Sequence, residues 1–168
     1  MKITIENFEK TVDSVDFDII HRQVYGVETK INQSSIIRIW FNEKCISLKL
    51  ELEQALVQNF DFLFVPETNI LFYRNFNEWC VFDLSKCQVI RVEKAFYFPS
   101  IERTNNTVLV YDELSVHSLN LSGEIIDDVP VDPPYEEVVY IDRIEFTSPV
   151  YGKQTLQLNI IPAKNTKT

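Results

Sequence analysis

The run Ile46, Leu48, Leu50 and Leu52 alternates with Ser47, Lys49 and Glu51, which is the two-residue period of a strand with one core face and one solvent face. Together with Ile36 to Phe41 it forms the clearest hairpin in the chain, turning at Asn42-Glu43-Lys44. Lys2 to Phe8 has the same period, with Ile3 and Ile5 inward against Thr4 and Glu6, and is predicted to open the sheet. Phe8, Val12 and Val15 fall at helical spacing, suiting a short helix or a turn; Phe17 to Tyr25 is strand-like and Gly26 to Ser35 is a polar loop. Beyond the hairpin, Leu52, Ala55, Leu56 and Phe60 suit one or two helical turns. Asp61 to Val65 is then a short strand halted by Pro66.

Asn69 to Ile90 and Asn106 to Asp127 read as one pattern written twice, offset by 37 residues. Ile70 to Tyr73 matches Thr107 to Val110, and each run meets a polar break, at Asn75 or at Asp112. A second run places Cys80 to Ser85 opposite His117 to Ser122, and a tight turn leads into Val89-Ile90 or Ile125-Ile126. Each copy is three short strands joined by hairpins, and a fixed period of this size marks a repeated unit that cannot bury its apolar face alone; two unrelated meanders with strands of ordinary length look similar. Between the copies, Phe96-Tyr97-Phe98 before Pro99 reads as core or edge-strand cover rather than a ligand platform. Val138 to Phe146 and Thr155 to Ile161 alternate as two further strands, joined through Pro149 and Gly152.

Twelve Phe, seven Tyr and two Trp against one Met favour pleated, half-buried surfaces. The fold class is mainly β: antiparallel meanders forming a sandwich or an incomplete propeller-like or open-barrel sheet, with at most one or two short helices. Residues 1–162 suit a single β-rich domain and 163–168 a frayed C-terminal tail. With only three Gly, the turns that need positive φ fall to Asn, and loops of three to five residues are favoured over two-residue turns.

Charge narrows the partners. The 25 acidic against 16 basic residues give a net charge of −9, which repels phosphate backbones and anionic lipid, so neither nucleic acid nor a membrane is an expected partner. The same field speeds encounter with a cationic protein, although solubility alone also accounts for an acidic surface. Three cysteines without metal-like spacing, no apolar leader after Met1 and no membrane-length apolar run point to a cytoplasmic protein with reduced thiols.

Catalytic chemistry has thin material. His21 and His117 are the two available bases, and the one suggestive pairing is Cys80 with His117, which occupy equivalent positions in the two copies. No His or Cys cluster stands out, the acidic segment lacks the order of a calcium loop, and three scattered Gly build no phosphate cradle. The expectation is no catalytic residue, no metal and no cofactor. Asp127 to Glu137 holds three prolines and five carboxylates, and reads as a stiff exposed loop. Asp127, Asp128, Asp132, Glu136 and Glu137 are its candidate contacts for Lys or Arg side chains, with Tyr135 as an aromatic anchor; a solvated connector is the alternative.

Val108 to Asp112 and Leu119 to Ile126, with their Leu-Asn-x-x-Gly hairpin, resemble the strands of β-propeller blades, without the Gly-His and Trp-Asp dipeptides of the WD40 type. As a whole, an acidic, β-rich chain with no active-site kit resembles the immunity proteins of bacterial contact-dependent or polymorphic toxin systems. That resemblance implies a binding protein that neutralises a basic toxin, most concretely a nuclease, by occluding its active site. The alternative is a non-catalytic scaffold module that assembles through a sheet edge.

Overall fold

The computed structural model describes residues 2–12, 16–23, 31, 33–41, 43–52 and 57–159. The described strands form four sheets taken up in chain order. The first contains β1 (Lys2–Phe8), β2 (Ile19–Arg22), β3 (Gln33–Phe41) and β4 (Lys44–Leu52), ordered β1-β3-β4-β2. The expected hairpin is β3 with β4, closing between Phe41 and Lys44, while β2 joins β4 in parallel. A 3-10 turn, Asn59–Asp61, leads to the second sheet, a meander of β5 (Phe62–Val65), β6 (Ile70–Arg74), β7 (Glu78–Asp83) and β8 (Gln88–Lys94). The third repeats it with β9 (Ser100–Thr104), β10 (Thr107–Tyr111), β11 (Ser115–Asn120) and β12 (Ile125–Pro130). The last has β13 (Glu136–Val139), β14 (Arg143–Ser148) and β15 (Gly152–Gln157).

The repeat is real and larger than the sequence pattern suggested. β6, β7 and β8 begin 37 residues before β10, β11 and β12. Each copy also has a first strand, β5 or β9, so the unit is four-stranded rather than three-stranded. A third copy follows: β14 and β15 begin 36 and 37 residues after β10 and β11. The run Val138 to Phe146 is therefore two strands, split by a turn in which Tyr140 N–H donates to the Arg143 carbonyl at 2.8 Å. The acidic segment is also more regular than expected, because Asp127 and Asp128 lie in β12 and Glu136 and Glu137 in β13, leaving Val131 to Tyr135 as connection. The helical spacings around Val15 and Ala55, and the C-terminal tail, fall outside the described residues.

Three apolar layers join the sheets in a row. Ile37, Ile39, Leu48 and Leu50 of the first sheet meet Leu71, Tyr73, Cys80 and Phe82 of the second. The other face of the second sheet, Ile70, Phe72, Trp79 and Val81, meets Val108, Val110 and Leu119. Leu109, Val116 and Val129 then meet Ile144, Phe146 and Leu156. Because β6 and β7 bury both faces, their sequences are continuous apolar runs rather than alternating ones. The end sheet ceases to be apolar on its outer side, where Glu145 pairs with Arg143 and with Lys153 at 3.1 and 2.9 Å.

On the outer side of the first sheet, Lys49 and Glu51 are buried rather than solvated, and pair at 2.7 Å, with Arg22 on the second Glu51 oxygen at 2.6 Å. Burial opposes ionisation of Glu51, but the bonds from Lys49 and Arg22 outweigh it and hold the carboxyl below its usual value. Among the described residues no helix is long and apolar enough to cross a membrane.

Positive φ falls at Glu43, Asn105 and Gly123, in turns expected from the sequence, and also at Asn69, Cys87 and Phe98. Gly123 has a second requirement besides its φ of +82°. A Cβ there would stand 2.6 Å from Val81 Cγ1, so the β11–β12 turn fits against the second sheet only as glycine. Gly152, at φ +63°, faces open space. Replacing Gly123 by Ala therefore combines backbone strain with overpacking and lowers unfolding free energy by about 2–4 kcal/mol. Gly152→Ala costs about 1 kcal/mol. Urea unfolding at equal m-value separates the two.

Candidate functional site

One end of the row gathers the features that face solvent. The turn between the second and third strands of each repeat lies at this end, as do the connections between sheets. A polar residue shapes each turn. Asn75 Oδ1 accepts from the Asn77 and Glu78 N–H groups, Asp112 Oδ1 from Glu113 and Phe96, and Ser148 Oγ from Tyr151. These three residues hold equivalent repeat positions, and only the first two were legible as polar breaks.

Phe96, Tyr97 and Phe98 are not core, contrary to the sequence reading. They are 69%, 60% and 59% exposed, and Phe60 is 71% exposed. Phe76, Tyr97 and Phe98 pack edge to face on one another with centroids 4.9 to 5.5 Å apart. Hydrogen bonds to the backbone fix this rim: Phe98 N–H donates to the Phe76 carbonyl at 2.9 Å, Ala95 N–H to the Asn77 carbonyl at 2.8 Å, and the Arg74 side chain, through Nη1, to the Pro99 carbonyl at 2.7 Å. Phe98 also has a φ of +37°, a strained backbone for a bulky side chain, costing about 1–3 kcal/mol. Phe60, Phe76 and Phe98 enclose a small cavity with Asp61, Tyr73 and Asn75. Burial holds the Asp61 carboxyl above its usual range, and the Tyr73 hydroxyl is buried beside Asn75 with no hydrogen bond of good geometry among the described residues.

The six acidic-segment candidates do not converge on one point. Asp127 uses its Oδ2 to accept the Gln157 N–H at 2.9 Å, tying the third sheet to the fourth. Asp128 pairs across from His117 at the β12 edge, whereas Glu136 and Glu137 lie on β13, an edge of the next sheet. Asp132 is half-buried, and Tyr135 packs edge-on against Phe146 at 5.6 Å, its hydroxyl pushed up by burial and by Glu137. Asp128, Glu136 and Glu137 are exposed. The connection that carries Asp132 and Tyr135 sits at the aromatic end, where Val131 N–H donates to the Leu114 carbonyl at 3.0 Å.

Cys80 and His117 are not brought together. Cys80 faces the first sheet, while His117 packs on Trp79 at 5.6 Å between the second and third. The partner of Cys80 is His21. His21 Nε2 lies 3.4 Å from Cys80 Sγ and 2.9 Å from Glu78 Oε1, and all three residues are buried. The absence of any His or Cys cluster expected from spacing is thus corrected: 57 and 59 residues of chain separate groups that the sheet interface places in contact. Asn75 Nδ2 donates to the same Glu78 oxygen at 3.0 Å. Burial, reinforced by the Glu78 charge, pushes the Cys80 thiol well up, the reverse of an activated nucleophile. The signal available in sequence was a carboxylate, Glu78, set directly at the head of the apolar run Trp79 to Phe82.

No protein-family model and no curated protein matches the chain. One solved structure with which it can be aligned is BamB from Moraxella catarrhalis, at 15% identity and a TM-score of 0.24. The alignment covers 57% of this chain and 42% of that one, and so loose a superposition fixes neither fold nor function.

Removing the Glu78 carboxylate leaves His21 and Asn75 buried without their acceptor, so Glu78→Ala lowers stability by about 3 kcal/mol or more in denaturant unfolding. His117 supplies a pH signature. Desolvation outweighs Asp128, Asp112 and Glu93 and holds its pKa below 6.5. As pH falls through 6.5 the unfolded chain takes up the proton first, so this contribution to stability is present above that pH and lost below it. In unfolding measured from pH 8 to pH 5, that part of the decline is absent from His117→Gln.

Proposed function

We propose that the protein is a binding protein whose aromatic end docks a cationic protein. On the immunity-protein reading the partner is a basic toxin domain, most concretely a nuclease, held in the cytoplasm of a bacterium with its active site occluded. The observation that carries the reading is the packed cluster of exposed rings Phe76, Tyr97 and Phe98, with Phe76 and Phe98 joined by a backbone bond and with Phe60 and Phe96 also exposed, at one end of an acidic molecule. Large aromatics in fixed positions make efficient interface anchors, because little side-chain freedom remains to be lost. Glu113, Asp132 and Glu136 lie around or beside that end, where a charged rim steers a basic partner and gives a salt-sensitive on-rate. The three cysteines are free thiols, as a reducing compartment requires.

A second reading keeps a specific observation of its own. β13 is an edge strand with all four residues exposed, Val138 and Val139 among them, and Ile141 beyond it is 87% exposed. Such an edge offers backbone pairing to a larger assembly, which is the scaffold alternative.

The immunity reading expects a cationic toxin domain encoded beside the gene, and the test uses that domain. Stoichiometric inhibition is expected, and Tyr97→Ala or Phe98→Ala weakens binding at least tenfold, about 1.4 kcal/mol. Neutralising Asp132, Glu136 and Glu137 together slows association and flattens its salt dependence. A toxin domain that retains full activity with excess protein ends the immunity reading. Co-elution of separately tagged copies at high salt, abolished by a proline at Val138, supports assembly through β13 instead.

A further inference from the structure

We propose that His21, Glu78 and Cys80 form a site for one zinc ion that clamps the first sheet to the second. Their donor atoms, Nε2, Oε1 and Sγ, all lie within 4.8 Å of one another, and the residues come from β2 and β7, two strands that share no backbone bonds. A tetrahedral zinc site, with bonds of about 2.0 to 2.3 Å, places such donors roughly 3.3–3.6 Å apart. The observed separations of 2.9 Å between nitrogen and oxygen and 3.4 Å between nitrogen and sulfur lie within about half an ångström of these values, and the oxygen and sulfur, within 4.8 Å of each other, close by up to about 1 Å when the ion binds.

In the metal-free site the His21–Glu78 pair is satisfied when Nε2 is protonated and donates, and the mismatch that remains is the Cys80 thiol. Nε2 holds either one hydrogen or one lone pair, yet two groups address it. If Nε2 is protonated it donates to Glu78, and the Cys80 thiol hydrogen finds no acceptor on the ring nitrogen it faces. If Nε2 is unprotonated it accepts from Cys80, and the Glu78 carboxylate then faces a lone pair. A divalent cation at the centre takes all three lone pairs at once, the thiol proton going to solvent, so affinity rises with pH. Nitrogen, sulfur and a single carboxylate suit zinc and not the all-oxygen preference of calcium or magnesium.

The surroundings resemble the support a metal centre needs. Asn75 Nδ2 orients the Glu78 oxygen while its Oδ1 is pinned by two backbone N–H groups, and Phe82 packs edge-on against the His21 ring at 6.1 Å. A water or the second Glu78 oxygen completes the coordination.

The experiment titrates the metal-stripped full chain with cobalt(II), then zinc. One equivalent of cobalt is expected to produce thiolate charge-transfer absorption and the visible bands of a tetrahedral site, both displaced by zinc, and added zinc raises the Tm. A variant with Cys45→Ser and Cys87→Ser, whose one remaining thiol is Cys80, keeps these signals. Cys80→Ser loses the charge-transfer band, and Asn75→Ala weakens zinc roughly ten- to a hundredfold. Absence of stoichiometric cobalt binding to the wild-type chain, loss of the band from the Cys45/Cys87 variant, or a Tm indifferent to zinc overturns the proposal, and none of these depends on Cys80→Ser folding.

Discussion

The second sheet is apolar on both sides, and the fold depends on that constraint. Leu71, Tyr73, Cys80 and Phe82 point one way while Ile70, Phe72, Trp79 and Val81 point the other. A sheet of this kind exposes a hydrophobic face unless a neighbour covers each side, so it enforces a row of sheets and excludes a simple two-layer sandwich. Each fully buried large side chain in it contributes about 2–3 kcal/mol of transfer free energy, and truncating one such as Phe72 also leaves a cavity. The third sheet passes the requirement on through Leu109 and Val116, and the fourth carries charge on its other face at Glu145, Arg143 and Lys153.

Several polar groups inside this row do structural tasks. Asn75, Asp112 and Ser148 satisfy the N–H groups of equivalent turns, and Asp127 crosses from the third sheet to the fourth. The His21 and Glu78 pair does the same between the first sheet and the second, where apolar surroundings make an unpartnered group expensive. Because the cores lie between sheets, the strand ends are released from packing duty. The rim of Phe96, Tyr97 and Phe98 can therefore be exposed without opening a core.

How much of this was readable depends on the range of the signal. The pairing of β3 with β4, the doubled unit and the β-rich class follow from residues close together in sequence, where period and turn chemistry act directly. The exposure of Phe96, Tyr97 and Phe98 was misread because three adjacent aromatics look like core when only composition is considered. Their position on the link between two sheets, beyond the end of β8, is what leaves them in solvent. The Val138 to Phe146 run reads as one strand because apolar residues recur from its start to its end, whereas the turn at Tyr140 to Asp142 is set by pairing with β14.

The sequence by itself determined local conformation: alternation marked the end sheets, continuous apolar runs marked the interior ones, and the 37-residue spacing marked the unit that is stacked. Tertiary structure alone decided which distant groups meet. His21 and Cys80 are 59 residues apart and carry no shared motif, yet the parallel pairing of β2 with β4 and the packing of the first sheet on the second place them 3.4 Å apart. The equivalent positions Cys80 and His117, suggestive in sequence, are kept in different layers because corresponding residues of successive sheets each face the sheet before their own. Periodicity records which face a side chain takes, and only the order of the sheets records what stands opposite.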